Sequence, residues 1–227
     1  MGPRQVKKAE IIEEFFCQKA ILPYGLKVQE VRSAVEEVYG LMHKLNGFLL
    51  QNGYERIEEL VLGNSLSGFL SEILVKKIAD NSRTMERNRM VGGHPDLIPR
   101  GKYPDDKILH GAEGIEVKTS KQAGGWQGHN PEVCWLVIFR YTLDETERNS
   151  WEKEPITFVQ ILTAKLQEED WSFSGRKGAS RRTITASIKA SGMHKLRMNP
   201  IYQHPDYIIA PTKKLCEEYA SILLPIK

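Results

Sequence analysis

Val133-Cys134-Trp135-Leu136-Val137-Ile138-Phe139-Arg140-Tyr141 is apolar at every position but one. A half-exposed strand alternates apolar and polar residues, whereas a run without alternation belongs to a strand buried on both faces. Residues 133 to 141 are therefore expected to form a central strand with a packed layer above and below. The surrounding pattern supplies such layers. Val31, Val35, Val38, Leu41, Met42, Leu45 and Leu49 keep a helical spacing, so residues 29 to 51 predict a long amphipathic helix, with Gly53 as its stop. Leu66, Phe69, Leu70, Ile73, Leu74 and Ile78 predict a second helix over Ser65 to Ala79, capped by Asn64 or Ser65. A polar stretch from Asp80 to Arg89 follows.

Strand signals then take over: His94 to Ile98, Gly111 to Lys118, Thr157 to Thr163 and Arg182 to Ile188, with a turn at 102 to 106. Thr212 to Leu224 reads as a closing helix. Helices first and strands after argue for a mixed α/β or α+β layer fold. At 227 residues the chain is long enough for a sizeable core. It has no internal repeat and no clear linker. We read it as one domain, with a helical region at 1 to 62, a core at 63 to 165 and a final segment at 166 to 227.

Composition excludes several classes. No apolar run reaches the length of a membrane span, and the N-terminus has no apolar stretch after its charges, as a secretory signal would. Cys17, Cys134 and Cys216 are widely spaced and odd in number, so they form neither a disulfide framework nor a zinc site. A cytoplasmic protein is expected. The net charge of +3 says little, but its distribution says more. Trp171 to Pro205 contains Arg176, Lys177, Arg181, Arg182, Lys189, Lys195 and Arg197 and no acid. One-sided charge of this kind suits a phosphate backbone.

The chemistry concentrates at Pro95-Asp96 and at Gly114-Ile115-Glu116-Val117-Lys118-Thr119. Residues two apart on a strand share a face, so Glu116 and Lys118 are expected to project together while Ile115 and Val117 enter a core. The chain holds three Pro-Asp pairs, a common turn signature, at 95, 104 and 205. Only the first leads into an apolar step, Leu97-Ile98, and then, 20 residues after its Asp, into a Glu-x-Lys strand. Two carboxylates and an ammonium on one sheet are what metal-assisted phosphodiester hydrolysis needs. Mg2+ takes hard oxygen ligands, often one or two carboxylates plus water and substrate phosphate. Taken alone, Glu-x-Lys is also an ordinary solvated strand pair.

These residues resemble the PD-(D/E)xK nuclease superfamily, and within it the type II restriction endonucleases. The resemblance is best over residues 66 to 140 and rests on a short, permissive motif. It implies a restriction-endonuclease-like mixed β-sheet flanked by helices. It implies Asp96 and Glu116 as Mg2+ ligands, with the Val117 carbonyl as a third, and Lys118 as the residue that orients water or stabilises charge at phosphorus. Glu72, on the preceding helix, is a further candidate, for a second metal or its water; a solvated charge facing Lys76 is the plain alternative. The polar loop after Lys118 offers Lys121, Gln122, Trp126, Gln127, His129 and Asn130 for substrate contact, against the alternative of a loop around a buried Trp126. The basic segment, read as loop, strand, loop, is expected to bind DNA. A prokaryotic enzyme cutting double-stranded DNA as a homodimer follows from the resemblance, the N-terminal helices offering a dimer face or packing on their own core. A repair or junction nuclease and a non-catalytic DNA-binding module are the alternatives.

Overall fold

The computed structural model describes residues 5–61, 63–128, 131, 133–173 and 185–208. Its centre is a six-stranded mixed sheet in the order β1-β2-β3-β5-β6-β9. The strands are β1 (Met85–Arg87), β2 (Leu97–Pro99), β3 (Ile115–Ser120), β5 (Trp135–Thr142), β6 (Thr157–Lys165) and β9 (Pro200–Gln203). β3 and β5 run parallel over six residue pairs, and the other neighbours are antiparallel. The apolar run accordingly sits between β3 and β6. Val137, Phe139 and Tyr141 enter one core, Leu136 and Ile138 enter another on the opposite face, and Cys134 is buried beside them.

The first core is roofed by α1 (Val28–Gln51) and α3 (Asn64–Asn81). α1 buries Val31, Ala34, Val35, Val38 and Met42, one face at helical spacing, so most of its apolar stripe serves this core. Leu41 and Phe48 stay exposed. Gly53 follows the C-cap Asn52 with φ +80°, the left-handed conformation that ends helices at glycine. α3 starts one residue earlier than expected, and neither Asn64 nor Ser65 caps it; Gly63 occupies the cap without a side-chain bond. A one-turn helix, α2 (Ile57–Leu60), joins the two. Arg56 before it is fully buried and donates to the Ser150, Lys153 and Glu154 carbonyls.

The second core lies under a small antiparallel sheet, β4 (Gln127–Gly128), β8 (Ala186–Ile188) and β7 (Trp171–Phe173), in the order β4-β8-β7. A short helix, α4 (Ala190–Arg197), completes the cover. α4 corrects the expectation of a basic loop at 192 to 200: Met193 and Leu196 at i, i+3 anchor one face in the core. Expected strand Arg182–Ile188 is strand at 186 to 188, and its first residues lie outside the described ones, as does the expected closing helix at 212 to 224. Pro104 opens a single 3-10 turn, as expected, and Pro205 opens another. No helix among the described residues is long and apolar enough to cross a membrane.

Candidate active site

β3 alternates as its sequence requires. Ile115, Val117 and Thr119 are buried on the helical side, where Thr119 Oγ1 donates to the Ser67 carbonyl of α3 at 2.6 Å. Glu116 and Lys118 project from the other face, in register with Leu136 and Ile138 of β5. The small sheet covers β5 and β6 on that face, so the pair stands at its border. Both side chains are largely buried, Glu116 14% and Lys118 19% exposed. Lys118 Nζ lies 2.8 Å from Glu116 Oε1.

Asp96 reaches the same place from the other side. β2 and β3 share one residue pair, Leu97 with Ile115, and then part. Asp96 fills the opening: its Oδ2 accepts the Val117 N–H at 2.8 Å, where a strand neighbour would have bonded. A strand residue's N–H and C=O point to the same edge, so the Val117 carbonyl is directed to the Asp96 side as well. Gly114, just before the shared pair, lets the two segments come this close: it has φ +150°, and a Cβ there would lie 2.4 Å from the Leu97 carbonyl and 2.5 Å from the Pro95 ring. The three expected residues therefore meet, with Val117 beside them.

The electrostatics are asymmetric. Burial, and next the Glu116 charge, push the Asp96 carboxyl up to about 7, against the lowering effect of the Val117 N–H, Lys118 and His94. Burial pushes Glu116 the same way, but the hydrogen bond with His94 and the Lys118 ammonium outweigh it and hold that carboxyl low. Two crowded carboxylates compete for one neutralising neighbourhood, and Glu116 wins. His94 was not singled out in the sequence. Its Nδ1 sits 2.9 Å from Glu116 Oε2, and its backbone is fixed by Leu109 and Gly111. Its position next to Pro95-Asp96 was the only local signal; the contact with a residue 22 positions away had none.

Among the described residues, no group of three or more His, Cys, Asp and Glu side chains is arranged to hold a metal ion. The donor set is smaller: two carboxylates and one backbone carbonyl. Mg2+ suits it, because this ion keeps several waters and needs few protein oxygens. An Asp96 carboxyl pushed up by burial and by a neighbouring carboxylate is also a group that a cation would relieve.

Glu72 is 68% exposed and pairs with Arg87 at 2.5 Å, while Lys76 pairs with Asp80. Glu72 thus lines the groove that reaches Asp96, a cavity of about 920 Å³ between α3 and β1, but as Arg87's partner. A second groove, of about 670 Å³, is lined by Lys118, Ser120, Lys121, Gln122 and Gln127.

The expected DNA-binding residues divide. Lys121, Gln122 and Gln127 are exposed beside the second groove, Lys121 paired with Glu145. Trp126 corrects the expectation of substrate contact. It is 4% exposed and packs in the second core, with Nε1 donating to the Gln122 carbonyl. Lys195 pairs with Asp170 at 2.5 Å, and Lys189 Nζ donates to the Glu169 carbonyl. The basic block is acid-free along the chain but not in space, because the turn at 168 to 170 folds back against it. Arg197 is half-buried on α4. His129, Asn130, Arg176, Lys177, Arg181 and Arg182 lie outside the described residues.

No protein-family model matches this sequence. A search of curated proteins returned no relative. The functional reading therefore rests on the site.

Proposed function

We propose that this protein is a Mg2+-dependent endodeoxyribonuclease of the type II restriction kind, cutting double-stranded DNA at a specific sequence. The observation that carries the reading is the meeting of Asp96, Glu116 and Lys118 at the parting of β2 and β3, with the Asp96 carboxyl pushed up by burial and by the Glu116 charge. Asp96, Glu116 and the Val117 carbonyl would hold the ion, and His94 fixes the second Glu116 oxygen. When bound, the ion supplies Lewis-acid stabilisation of the phosphate and lowers the pKa of water. Lys118, on the face of Glu116, either orients the attacking water or stabilises charge on the pentacoordinate phosphorus. Water adds to phosphorus as the bond to the 3′ oxygen breaks, leaving 5′-phosphate and 3′-hydroxyl ends. One site per chain and two strands to cut favour a homodimer on a palindromic target. A prokaryotic cytoplasmic setting accompanies this reading.

The test is digestion of linear duplexes of random sequence by the pure protein in Mg2+ and in EDTA, with sequencing of the ends. Discrete fragments in Mg2+ alone, lost in Glu116→Gln and Lys118→Ala, are expected. Cutting confined to mismatches or junctions would mark a repair or junction nuclease of the same superfamily. A second reading draws on the Glu116 contacts with both Lys118 and His94, which also suit a structural ion cluster in a non-catalytic DNA-binding module. No cleavage on any duplex, with Lys118→Ala altering stability alone, would establish it instead.

A further inference from the structure

Four basic side chains line the groove that reaches Asp96: Lys76, Arg87, Arg89 and Arg100. Three have carboxylate partners, in the pairs Lys76–Asp80, Arg87–Glu72 and Arg100–Glu86. Among the described residues, Arg89 has none. It is exposed, and the two residues after it, Met90 and Val91, are 38% and 95% exposed. An exposed arginine followed by exposed apolar residues would be unremarkable on a loose loop, but this segment is anchored.

The anchor is Asn88, buried, with both ends of its amide engaged. Nδ2 donates to the Pro95 carbonyl at 3.0 Å and the Ile108 carbonyl at 2.8 Å. Oδ1 accepts from Met90 N at 3.1 Å and Ile108 N at 3.2 Å. Its backbone N–H donates to the Asp96 carbonyl at 2.8 Å, tying the turn to the site. Arg89 N–H is held by the Asp106 carbonyl, and Gly93 N–H by that of Met90. Gly93 itself is packed so closely that a Cβ would meet the Ile108 carbonyl at 2.5 Å and Asn88 Nδ2 at 2.6 Å. A turn fixed in this way loses little conformational entropy when something binds it.

We infer that residues 89 to 91 form a DNA contact separate from the basic block. Arg89 takes a backbone phosphate of the strand entering the Asp96 groove, and Val91 packs on the adjoining sugar edge. Arginine is suited to the first role because its fork of N–H donors matches phosphate oxygens. The inference rests on the nuclease reading and adds the side from which the strand arrives.

The experiment is a titration of a labelled duplex with the whole protein in EDTA over a salt series, in parallel with cleavage in Mg2+. Arg89→Ala is expected to bind about tenfold more weakly at low salt and to lose about one from the slope of log K against log salt, as for one phosphate contact. Arg89→Lys restores the slope, and Val91→Asp weakens binding while melting as the wild type does. If the wild type cuts DNA but Arg89→Ala and Val91→Asp bind with unchanged affinity and slope, the contact is refuted and the nuclease reading stands. If the wild type neither binds nor cuts duplex DNA, both fall together.

Discussion

Asp96→Asn removes a charge from a place that disfavours it. Burial and Glu116 raise the Asp96 carboxyl from an ordinary 3.8 to about 7. At about 1.36 kcal/mol per pH unit, that interval corresponds to ~4 kcal/mol of strain in the ionised, metal-free protein. Part of this belongs to the pair rather than to Asp96 alone, so about 2–4 kcal/mol is the expected gain for the variant at pH 8. Asparagine keeps an oxygen to accept the Val117 N–H, so the substitution costs little in hydrogen bonding. A folded-state carboxyl raised above its unfolded value binds its proton more tightly in the folded protein. Stability is therefore lost as pH rises from about 4 to about 7 and is level above that. Glu116 has the opposite sign: its stabilisation is present above the ordinary carboxylate range and is lost only as pH falls below it. The gap between Asp96→Asn and wild type should grow from about 1 kcal/mol at pH 4.5 to its full size at pH 8. Urea unfolding of both proteins in EDTA measures it. Mg2+ at pH 8 should stabilise the wild type and close the gap, since an ion that binds only the folded form adds its binding free energy. A variant no more stable than wild type at pH 8, or a gap of the same size at both pH values, would refute the account of Asp96 as a charge awaiting a cation.

Gly114→Ala should separate Asp96 from Glu116, because its Cβ collides with Leu97 and Pro95 at a positive φ; loss of cleavage in a variant that still melts cooperatively is expected, and full activity would show that the close approach at Gly114 does not position the site. Arg56→Ala takes the counter-charge from the buried Glu58 carboxylate, which keeps only its bond from Asn46, and the donor from three carbonyls of the 150 to 154 turn, so a loss of about 3–5 kcal/mol in urea unfolding is expected, and a loss under 1 kcal/mol would contradict it. Trp126→Ala should cost about 3–5 kcal/mol through the emptied core and leave the salt slope of DNA binding unchanged; a variant as stable as wild type that binds DNA poorly would return the indole to the DNA.

Local periodicity decided a good deal by itself. The almost unbroken apolar run at 133 to 141 required a strand covered on both faces, and β5 is one, within a mixed sheet. The alternation at 114 to 119 placed Glu116 and Lys118 on one face before any fold was known, and helical spacing marked α1 and α3 nearly to the residue. These are short-range statements, set by which neighbours a strand or helix brings onto one side. What depended on partners distant along the chain was not legible. The burial of Trp126 needed the small sheet, which β7 and β8 supply from more than 40 residues away. The neutralisation of Lys195 needed Asp170 folded back against α4, so a block with no acid in its sequence has one in space. α4 was hidden because two apolar contacts, Met193 and Leu196, are too few to stand out among glycine and basic residues. Order and context point to the approach of Asp96 to Glu116, but its cause is tertiary: Gly114 lets Pro95 and Leu97 pack closely against the start of β3, and the Asp96 side chain takes the Val117 N–H. The sequence by itself thus determined which residues share a face, because that follows from strand and helix period. The tertiary structure alone decided what His94, Asn88 and Trp126 touch and which charges are already met, because burial and pairing depend on segments that only the folded chain brings together.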